Sequence, residues 1–516
     1  MIRTINTPSV SFASIAKLLG VDFDQDIEIN GISQNAAEVE PGDIFVAIGG
    51  AKHHGIEFID QAIANGAVAV ITDSQGANSK LPTLIVENPR LVVGEVSAFI
   101  YDEPSSNMFT VGITGTNGKT TVTTLLHQIW QRAGWTSGLI GTVNTQINEE
   151  VLPSIHTTPE AAPLQALLAS MSERHCRAVA MEVSSHALVQ HRVGGVRYKV
   201  AGFTNLTQDH LDFHGNMDSY FNAKAKLFKY GVSELGVINI DDSYGAKLAQ
   251  IAEIPIIRIS RNGKADWRYE EITHFGSSTQ VKIRGKDGVL IEGVTNLIGD
   301  FNLDNLLMAV AIAVISGVDP IEISANLAAY VGAAGRLEQV NVGQNYLAFV
   351  DYAHTPDAVE NVLKSARAMT KGKLIAVLGC GGDRDRSKRP LMGKALLKAD
   401  FPIFTSDNPR SENPNEILKE MLEGISNTGE VIVDRREAII KAVEIAQPGD
   451  VIAILGKGHE TGQEIAGIKQ PFDDRKVLAE AMAGKNDSSK SFTDRRYSWW
   501  KIKCRWQYPS LAGASI

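Results

Sequence analysis

The stretch GITGTNGKTT, residues 112–121, follows directly on the apolar run FTV and constrains the fold more than any other segment of the chain. Its three glycines are evenly spaced, and the last of them, Gly118, is followed by Lys119, Thr120 and Thr121. Closely spaced glycines between a strand and a helix let backbone N–H groups approach phosphate oxygens, and the helix start adds the positive end of its dipole. The stretch therefore predicts a nucleotide-phosphate loop in an α/β fold, with Lys119 on the phosphates and the Thr120 hydroxyl at Mg²⁺.

Length and composition limit the class of protein. A chain of 516 residues is too long for one hydrophobic core and predicts about three domains. Hydrophobic residues make up 44% and charged residues 21%, which is typical of a soluble globular protein, and the net charge of -9 argues against a nucleic-acid binder. The sequence shows no signal-peptide core, no apolar run of about 20 residues and no disulfide-type cysteine spacing. We therefore expect a cytoplasmic protein that acts on small molecules without a membrane or nucleic-acid partner, and we expect it to be a monomer.

Buried strands alternate with helical stretches through most of the chain, which predicts an α/β fold of doubly wound parallel sheets. We predict three domains: a first block over residues 1–105, a second with a central P-loop-type sheet over 106–335, and a third, Rossmann-like α/β block over 336–485. Residues 486–516 hold three of the six tryptophans and are predicted to be an atypical, disordered tail.

Polar clusters follow several predicted strands of the second block. Glu182 ends the strand AVAMEV, and residues 205–210 follow the strand VAGFTN. Because ligands of open α/β sheets lie at the carboxyl ends of the strands, we expect these clusters and the phosphate loop to share one site. Glu182 and His210 are candidate Mg²⁺ ligands there, although Mg²⁺ prefers oxygen ligands and a histidine would be unusual.

The phosphate loop departs from the common P-loop, because Ile113 stands where that motif has its first glycine. The form G-x-x-G-x-x-G-K-T-T resembles the Mur ligase superfamily, which includes the folylpolyglutamate synthetases. The resemblance implies that ATP with Mg²⁺ phosphorylates a carboxylate and that an amine then displaces the phosphate to form an amide. It implies catalytic roles for Lys119, Glu182, His210 and Lys224; Lys224, in SYFNAKAKLF, matches the lysine that is carbamylated in the family. The implied metal ligands are Thr120, Glu182, His210 and Lys224 as N6-carboxylysine.

The resemblance continues in the family's order through residues 108 to 357, with motifs that include GDFNLDN, AGRLE and FVDYAH. It assigns UDP-substrate binding to the first block, ATP binding to the second and amino-acid binding to the third. The implied ATP-binding residues are Gly115, Thr116, Asn117, Gly118, Lys119, Thr120, Thr121, Asn302, Asn305, Arg336 and Asp351.

Three further motifs, HTTPE, EVSSHAL and VQHRVGG, resemble the site at which the family binds a UDP-muramoyl-dipeptide. The implied contacts are His156, Thr157, Thr158, Ser184, Gln190 and Arg192. An arginine suits a substrate that carries a pyrophosphate and carboxylates. The first block departs from the family pattern, because Asn35, Ala36 and Ala37 stand where many relatives have Asp-Ser-Arg, so no uridine contact is assigned.

The third block bears on the amino acid that is added. The DNPR sequence within SDNPRSENP resembles the signature of Mur ligases that add meso-2,6-diaminopimelate to UDP-N-acetylmuramoyl-L-alanyl-D-glutamate. Diaminopimelate carries a second carboxylate at its far end, which an arginine fork can hold, whereas lysine presents an ammonium group that an arginine repels. The implied diaminopimelate contacts are Arg384, Asp407, Asn408, Pro409, Arg410, Gly456 and Glu460, with Glu460 on a substrate ammonium group.

Other functions fit parts of the pattern. A lysine-adding Mur ligase and a folylpolyglutamate synthetase are the alternatives among ligases. A P-loop switch or motor on nucleic acid would also carry a phosphate loop, but the acidic balance of the chain counts against it. A binder with an inactive loop is disfavoured by the presence of Lys119, Thr120, Glu182 and His210.

Overall fold

The computed structural model describes residues 4, 6, 9–50, 52–77, 79–152, 154, 156–275, 278–425 and 429–490, with side chains described up to residue 485. The chain divides into two compact units, Met1–Arg336 and Leu337–Ile516. The border falls within one residue of the predicted start of the third block. The domain boundary predicted at residue 105 lies inside the first unit and stays a prediction. Of the tail predicted over residues 486–516, the part from 491 onwards lies outside the described residues.

The N-terminal part of the first unit contains a small parallel sheet in the strand order β3-β4-β5-β6 and a two-stranded antiparallel pair, β1 and β2. Its strands are β1 Val10–Ser11, β2 Glu28–Ile29, β3 Gly31–Ser33, β4 Asp43–Val46, β5 Ala69–Thr72 and β6 Thr83–Ile85. Its helices are α1 Phe12–Leu19, α2 Ile59–Ala64 and α3 Pro89–Ile100. A 3₁₀ turn, Gly55–Phe58, leads directly into α2.

An eleven-stranded sheet forms the rest of the first unit, in the order β10-β9-β8-β11-β7-β12-β13-β14-β15-β16-β17. The strands are β7 Phe109–Thr114, β8 Ser137–Ile140, β9 Thr145–Ile147, β10 Glu150–Leu152, β11 Ala178–Glu182, β12 Tyr198–Phe203, β13 Ser233–Asn239, β14 Ile256–Ser260, β15 Trp267–Phe275, β16 Ser278–Arg284 and β17 Leu290–Thr295. The helices are α4 Lys119–Arg132, α5 Ala161–Glu173, α6 Ser185–Val189, α7 Leu211–His214, α8 Met217–Ala225, α9 Ser243–Ile251, α10 Asp300–Ser316 and α11 Pro320–Asn326.

Seven neighbouring strands of this sheet, from β8 to β15 in the order above, are parallel. Of these, β7, β8, β11 and β12 are almost wholly buried, as the apolar runs predicted, because side chains on both faces of the sheet enter a core. In β11, Ala178 and Ala180 belong to one core, and Val179 and Met181 belong to the other. The predicted parallel sheet is confirmed in these strands; at its two edges it is extended by antiparallel strands, β9–β10 on one side and β16–β17 on the other, which the sequence did not indicate. The phosphate-loop strand β7 lies between β11 and β12, so the polar clusters after all three strands meet at one edge.

The second unit is built on a six-stranded sheet in the order β18-β19-β23-β20-β21-β22, parallel except for β18, and on the hairpin β24–β25. Its strands are β18 Glu338–Gln339, β19 Leu347–Asp351, β20 Leu374–Leu378, β21 Phe401–Phe404, β22 Glu430–Val431, β23 Val451–Leu455, β24 Gly462–Ile465 and β25 Ile468–Pro471. Its helices are α12 Pro356–Met369, α13 Arg389–Leu396, α14 Pro414–Met421, α15 Arg435–Ile445 and α16 Asp474–Lys490.

Local sequence explains where the helices of the second unit begin. Thr355 and Asn413 cap α12 and α14, and in both helices proline occupies the first turn, where its missing N–H costs no hydrogen bond. Within the described part of the chain, no helix is both long and apolar enough to cross a membrane.

Candidate active site

The phosphate loop is held in shape by the segment that follows β12. Gly118 adopts a φ of 88°, and a Cβ there would collide with Asn305 Oδ1, so only glycine fits this turn. The Thr116 amide donates to Asn205 O at 2.9 Å, and the Asn117 amide donates to Asn205 Oδ1 at 3.0 Å. The loop is therefore fixed before any phosphate binds.

Two lysines converge on this loop. Lys119 Nζ donates to Gly115 O at 3.0 Å and to Thr116 O at 2.9 Å. Lys224 Nζ donates to Gly115 O at 2.8 Å and lies 4.7 Å from the centre of the Tyr220 ring. Burial lowers the pKa of both ammonium groups. The structure thus brings the two lysines that the sequence singled out to one backbone carbonyl.

Glu182 lies at the end of β11, beside the start of α4, and is fully buried. Its carboxylate accepts hydrogen bonds from Thr120 Oγ1 at 3.0 Å, from the Thr142 amide at 2.7 Å and from Thr142 Oγ1 at 3.1 Å. A hydroxyl and a carboxylate next to a phosphate loop are the oxygen ligands that Mg²⁺ prefers, so Thr120 and Glu182 fit the predicted metal. Such a site completes its shell with water and phosphate oxygens.

His210 lies one residue after Asp209, in the left-handed region with a φ of 52°. Its Nε2 is 3.3 Å from Asp209 Oδ2, and its ring meets the His186 ring edge to face. Burial lowers the pKa of the His210 imidazole to about 4, which favours the neutral form that can act as a ligand. Among the described residues, no three His, Cys, Asp or Glu side chains stand together as a metal site.

The residues predicted to bind the UDP-muramoyl-dipeptide meet near the end of β11. Thr158 Oγ1 donates to Glu182 O at 2.9 Å and accepts from the Ser184 amide at 3.1 Å. Thr157 Oγ1 lies 3.0 Å from Thr142 Oγ1, within hydrogen-bond distance. Arg192 Nη1 donates to Thr158 O at 3.2 Å. Sequence motifs that lie far apart in the chain thus form one polar surface.

His156 and Gln190, which are also predicted to bind the UDP-muramoyl-dipeptide, make no side-chain hydrogen bond to this group in the described part of the chain. His156 is exposed, and its carbonyl oxygen accepts from Ser154 Oγ. Gln190 ends α6, and its side-chain oxygen is buried without a hydrogen-bond partner in the described part of the chain. Arg192 Nε lies 2.9 Å from Glu160 Oε1, and Arg90 Nη1 lies 3.6 Å from Glu160 Oε2. Glu160 therefore holds two arginines at the start of α5.

The remaining predicted ATP residues fall in both units. Asn305 Nδ2 donates to Asn302 Oδ1 at 3.2 Å in α10, beside the phosphate loop. Arg336 is the last residue of the first unit, and its charge acts on Lys119. Asp351 belongs to the second unit, where its carboxylate accepts from the amides of Leu337 and Ala353 at 2.7 Å each.

In the second unit, the predicted diaminopimelate residues lie on two loops. Arg410 adopts a φ of 51°, and its Nη1 donates to Gly382 O at 2.6 Å. Arg384 Nη1 donates to Asp383 O at 3.2 Å. A Cβ on Gly381 would lie 3.1 Å from Arg410 Nη1 and 3.9 Å from Arg384 Cγ. Both arginine side chains therefore pass close to Gly381.

A second group of acceptor residues surrounds the end of β23. Asn408 Nδ2 donates to Glu460 Oε2 at 2.8 Å. Gly456 lies against Asp407, because a Cβ on Gly456 would be 2.6 Å from Asp407 Oδ2. Pro409 O accepts from the Glu412 amide at 2.9 Å, which closes the turn that carries Arg410. Burial raises the pKa of Asp407.

Several residues that shape these sites were missed by the sequence analysis. They are Thr142, Thr204, Tyr220, Lys457, Arg435 and Glu464. Thr204 is signalled by its place directly before the polar cluster that begins at Asn205. Lys457 has no such signal, because nothing in the pattern GKGHE distinguishes a buried lysine from a solvated one.

The fold and these sites define the class of protein: an α/β protein with a phosphate loop, a buried acid beside it and a separate arginine-lined site. Three family models match the chain in order: the Mur ligase family catalytic domain over residues 28–101, the Mur ligase middle domain over 113–313, and the Mur ligase glutamate ligase domain over 335–458. The chain belongs to the Mur ligase family.

Relatives with the name UDP-N-acetylmuramoyl-L-alanyl-D-glutamate–2,6-diaminopimelate ligase match nearly the whole chain. The relative from Streptomyces coelicolor is 47% identical and covers 93% of this chain and 98% of its own length. The relative from Aquifex aeolicus is 45% identical and covers 88% and 94%. A solved structure of a protein with the same name is 32% identical, with a TM-score of 0.68, and covers 93% of this chain and all of that one.

Proposed function

We propose that this protein is an ATP-dependent, ADP-forming ligase that joins meso-2,6-diaminopimelate to UDP-N-acetylmuramoyl-L-alanyl-D-glutamate through an acyl phosphate, in the synthesis of peptidoglycan precursors. Membership of the Mur ligase family supports the reaction, and the names of the relatives support both substrates. The choice of diaminopimelate as acceptor is supported above all by two arginine side chains, Arg384 and Arg410, that both lie close to Gly381.

In the first unit, the phosphate loop would bind ATP and neutralise the phosphoryl group as it moves to the γ-carboxylate of D-glutamate. Lys119 supplies a charge at the loop, and the amides at the start of α4 point toward a bound anion. Thr120, Glu182, His210 and carbamylated Lys224 would hold Mg²⁺, which supplies further positive charge at the phosphates. Asn302, Asn305, Arg336 and Asp351 are the remaining proposed nucleotide contacts.

The donor would bind next to that loop. Thr157, Thr158 and Ser184 present hydroxyl groups beside the Glu182 strand end, and Arg192 offers a cation for an anionic group of the substrate. His156 and Gln190 complete the proposed donor set. Placing the carboxylate beside a fixed phosphate loop turns its phosphorylation into a reaction between neighbours.

In the second unit, the acceptor would lie between two charges of opposite sign. The guanidinium groups of Arg384 and Arg410 suit a carboxylate, and the carboxylate of Glu460 suits an ammonium group. Gly456 leaves room beside Asp407, and Asn408 and Pro409 fix the loop before Arg410. The free amine of the acceptor attacks the acyl phosphate, the tetrahedral adduct releases phosphate, and an amide bond remains.

Release of ADP from ATP, measured with one amino acid at a time on the muramoyl dipeptide, tests this function. We expect turnover with meso-2,6-diaminopimelate and little with L-lysine. Preference for L-lysine would assign the chain to the lysine-adding alternative, and turnover of a folate with glutamate would assign it to the folylpolyglutamate synthetases. Use of Mg²⁺, a monomeric state and a cytoplasmic location are proposed together with this activity.

A further inference from the structure

Lys457 is a buried cation on the loop that follows β23, and its side chain reaches the loop that follows β21. These two loops carry most of the proposed acceptor residues, and the Lys457 side chain is 0% exposed. Its Nζ donates to Glu460 Oε2 at 2.8 Å and to Asn408 Oδ1 at 3.0 Å. Asn408 Nδ2 in turn donates to the same Glu460 Oε2 at 2.8 Å. Lysine, asparagine and glutamate thus form a closed triangle of hydrogen bonds.

The triangle leaves one oxygen of Glu460 available. All the hydrogen bonds that Glu460 accepts from other side chains in the described part of the chain go to Oε2, and the Glu460 side chain is 32% exposed. Oε1 is therefore the atom that can accept from an ammonium group of a bound amino acid. Lys457 and Asn408 hold Oε2 and thereby fix the orientation of the Glu460 carboxylate.

The same triangle controls the charge of Glu460. Burial opposes ionisation of this carboxyl group, but the charge of Lys457 and its hydrogen bond outweigh burial and lower the pKa of Glu460. Besides Lys457, the charged or titratable groups that act on Glu460 or on its neighbour Asp407 come from four segments. They are His459 on the same segment, Asp407 after β21, Arg435 at the start of α15 and Asp474 at the start of α16. Asp407 is itself buried, so Lys457 is the cation between two acids.

We propose that Lys457 is a positioning residue for the acceptor amino acid: it keeps Glu460 ionised and turned so that Oε1 receives the ammonium group of the acceptor. The proposal rests on the proposed function, because it needs an amino acid at Glu460. Lys457 is not among the residues predicted to contact the acceptor, and its proposed role is to act on Glu460 rather than on a substrate atom. A merely structural lysine would stabilise the unit without setting the pH dependence of acceptor binding.

The variant Lys457→Met keeps the length of the side chain and removes its charge and its hydrogen bonds. We expect the KM for meso-2,6-diaminopimelate to rise roughly 10- to 100-fold, because hydrogen bonds to a charged group are lost, while the affinity for ADP stays at the wild-type value. Lys441→Met is the matched control. Lys441 lies 3.2 Å from Glu430 in the same unit, as an ion pair on the surface away from both loops, and its loss should leave KM unchanged.

The pH profile separates positioning from a structural role. Without Lys457, burial raises the pKa of Glu460, so the carboxylate takes up a proton as the pH falls and loses its hold on the ammonium group. The ratio of the variant KM to the wild-type KM should therefore grow toward acid. A ratio that is the same at every pH would overturn the proposal.

A double-mutant cycle with Glu460→Gln gives a second readout. If Lys457 acts through Glu460, then adding Lys457→Met to Glu460→Gln should change the acceptor KM by less than about threefold, since the two effects are not additive. Effects that multiply fully would overturn the proposal. The double variant removes both charges together, so it should fold even if Lys457→Met alone does not, and the role of Lys457 can then still be tested.

Two outcomes distinguish a failure of the proposed function from a failure of the role of Lys457. Wild-type protein that shows no diaminopimelate-dependent release of ADP contradicts the proposed function. Wild-type protein that is active, with a variant of unchanged acceptor KM, contradicts only the role of Lys457.

Discussion

Lys119 and Lys224 donate hydrogen bonds to the same acceptor, the backbone carbonyl oxygen of Gly115, with Nζ–O distances of 3.0 and 2.8 Å. Lys224 is buried and Lys119 is half-buried, and the charge of Lys119 acts against that of Lys224. Two cations on one carbonyl are costly, and the acid that attracts both of them is Asp209. Conversion of Lys224 to a carbamate would remove one cation and leave Gly115 to Lys119 alone.

The first prediction concerns Lys224. Replacing it with alanine should lower the rate of ADP release by about 100-fold or more, because the carbamate that would hold the metal cannot form. Lys226→Ala, two residues away at an exposed position, is the control and should behave as wild type. Intact mass of the wild type should reveal one added CO₂, which Lys224→Ala lacks. Wild-type activity in Lys224→Ala would contradict the predicted role.

The arrangement around the phosphate loop could largely be predicted from the sequence, because each strand of a parallel sheet delivers its next residues to the same edge. This rule alone places Lys119, Glu182 and residues 205–210 at one edge of the sheet. Lys224 is assigned by resemblance alone, since the two lysines in SYFNAKAKLF look alike in sequence. Only packing shows that Lys224 is 1% exposed whereas Lys226 faces solvent.

The antiparallel sheet edges and the interior of the second unit could not be predicted. Short edge strands such as β9 and β10 have only three residues each and carry no long apolar run, so periodicity does not reveal them. The Arg435 guanidinium donates to Ser406 O and Leu455 O and pairs with Asp474. These contacts join segments up to 39 residues apart, and sequence spacing does not encode which distant groups meet.

The second prediction concerns Arg410. Arg410→Lys keeps the charge and loses the fork, so the KM for meso-2,6-diaminopimelate should rise roughly 10- to 100-fold with the affinity for ADP unchanged. Arg436→Lys is the control, because Arg436 forms a surface pair with Glu480 at 3.0 Å in the same unit. Initial rates over a range of acceptor concentrations give both values. An unchanged acceptor KM would show that Arg410 does not hold the distal carboxylate of diaminopimelate.

The third prediction concerns the donor. Arg192→Ala should raise the KM for the UDP-muramoyl-dipeptide about 10-fold or more, since the cation available to an anionic substrate group is lost. The acceptor KM should stay the same. Arg197→Ala removes an arginine of the same unit that pairs with Glu95 at 3.1 Å on the surface, and it should change neither value. Equal effects of both substitutions would show that the loss is a general weakening of the unit.

The fourth prediction concerns acid stability. Arg389 is buried and holds the Glu412 carboxylate through two bonds, of 2.9 and 2.8 Å, and this pairing lowers the pKa of Glu412 from 4.5 to about 2. In the folded protein Glu412 therefore stays charged at a pH where the unfolded chain is already protonated. Its stabilising contribution is complete above pH 4.5 and is lost as the pH falls toward 2.

Urea unfolding of the full chain, followed by circular dichroism, can check this linkage. We expect Glu412→Gln to lower the unfolding midpoint at about pH 6 and to lose less of it than the wild type on acidification to about pH 3, because the group that titrates is gone. Glu423→Gln, at an exposed site in the same segment, should follow the wild-type curve. Parallel curves for Glu412→Gln and wild type would show that the Arg389 pair does not couple folding to pH.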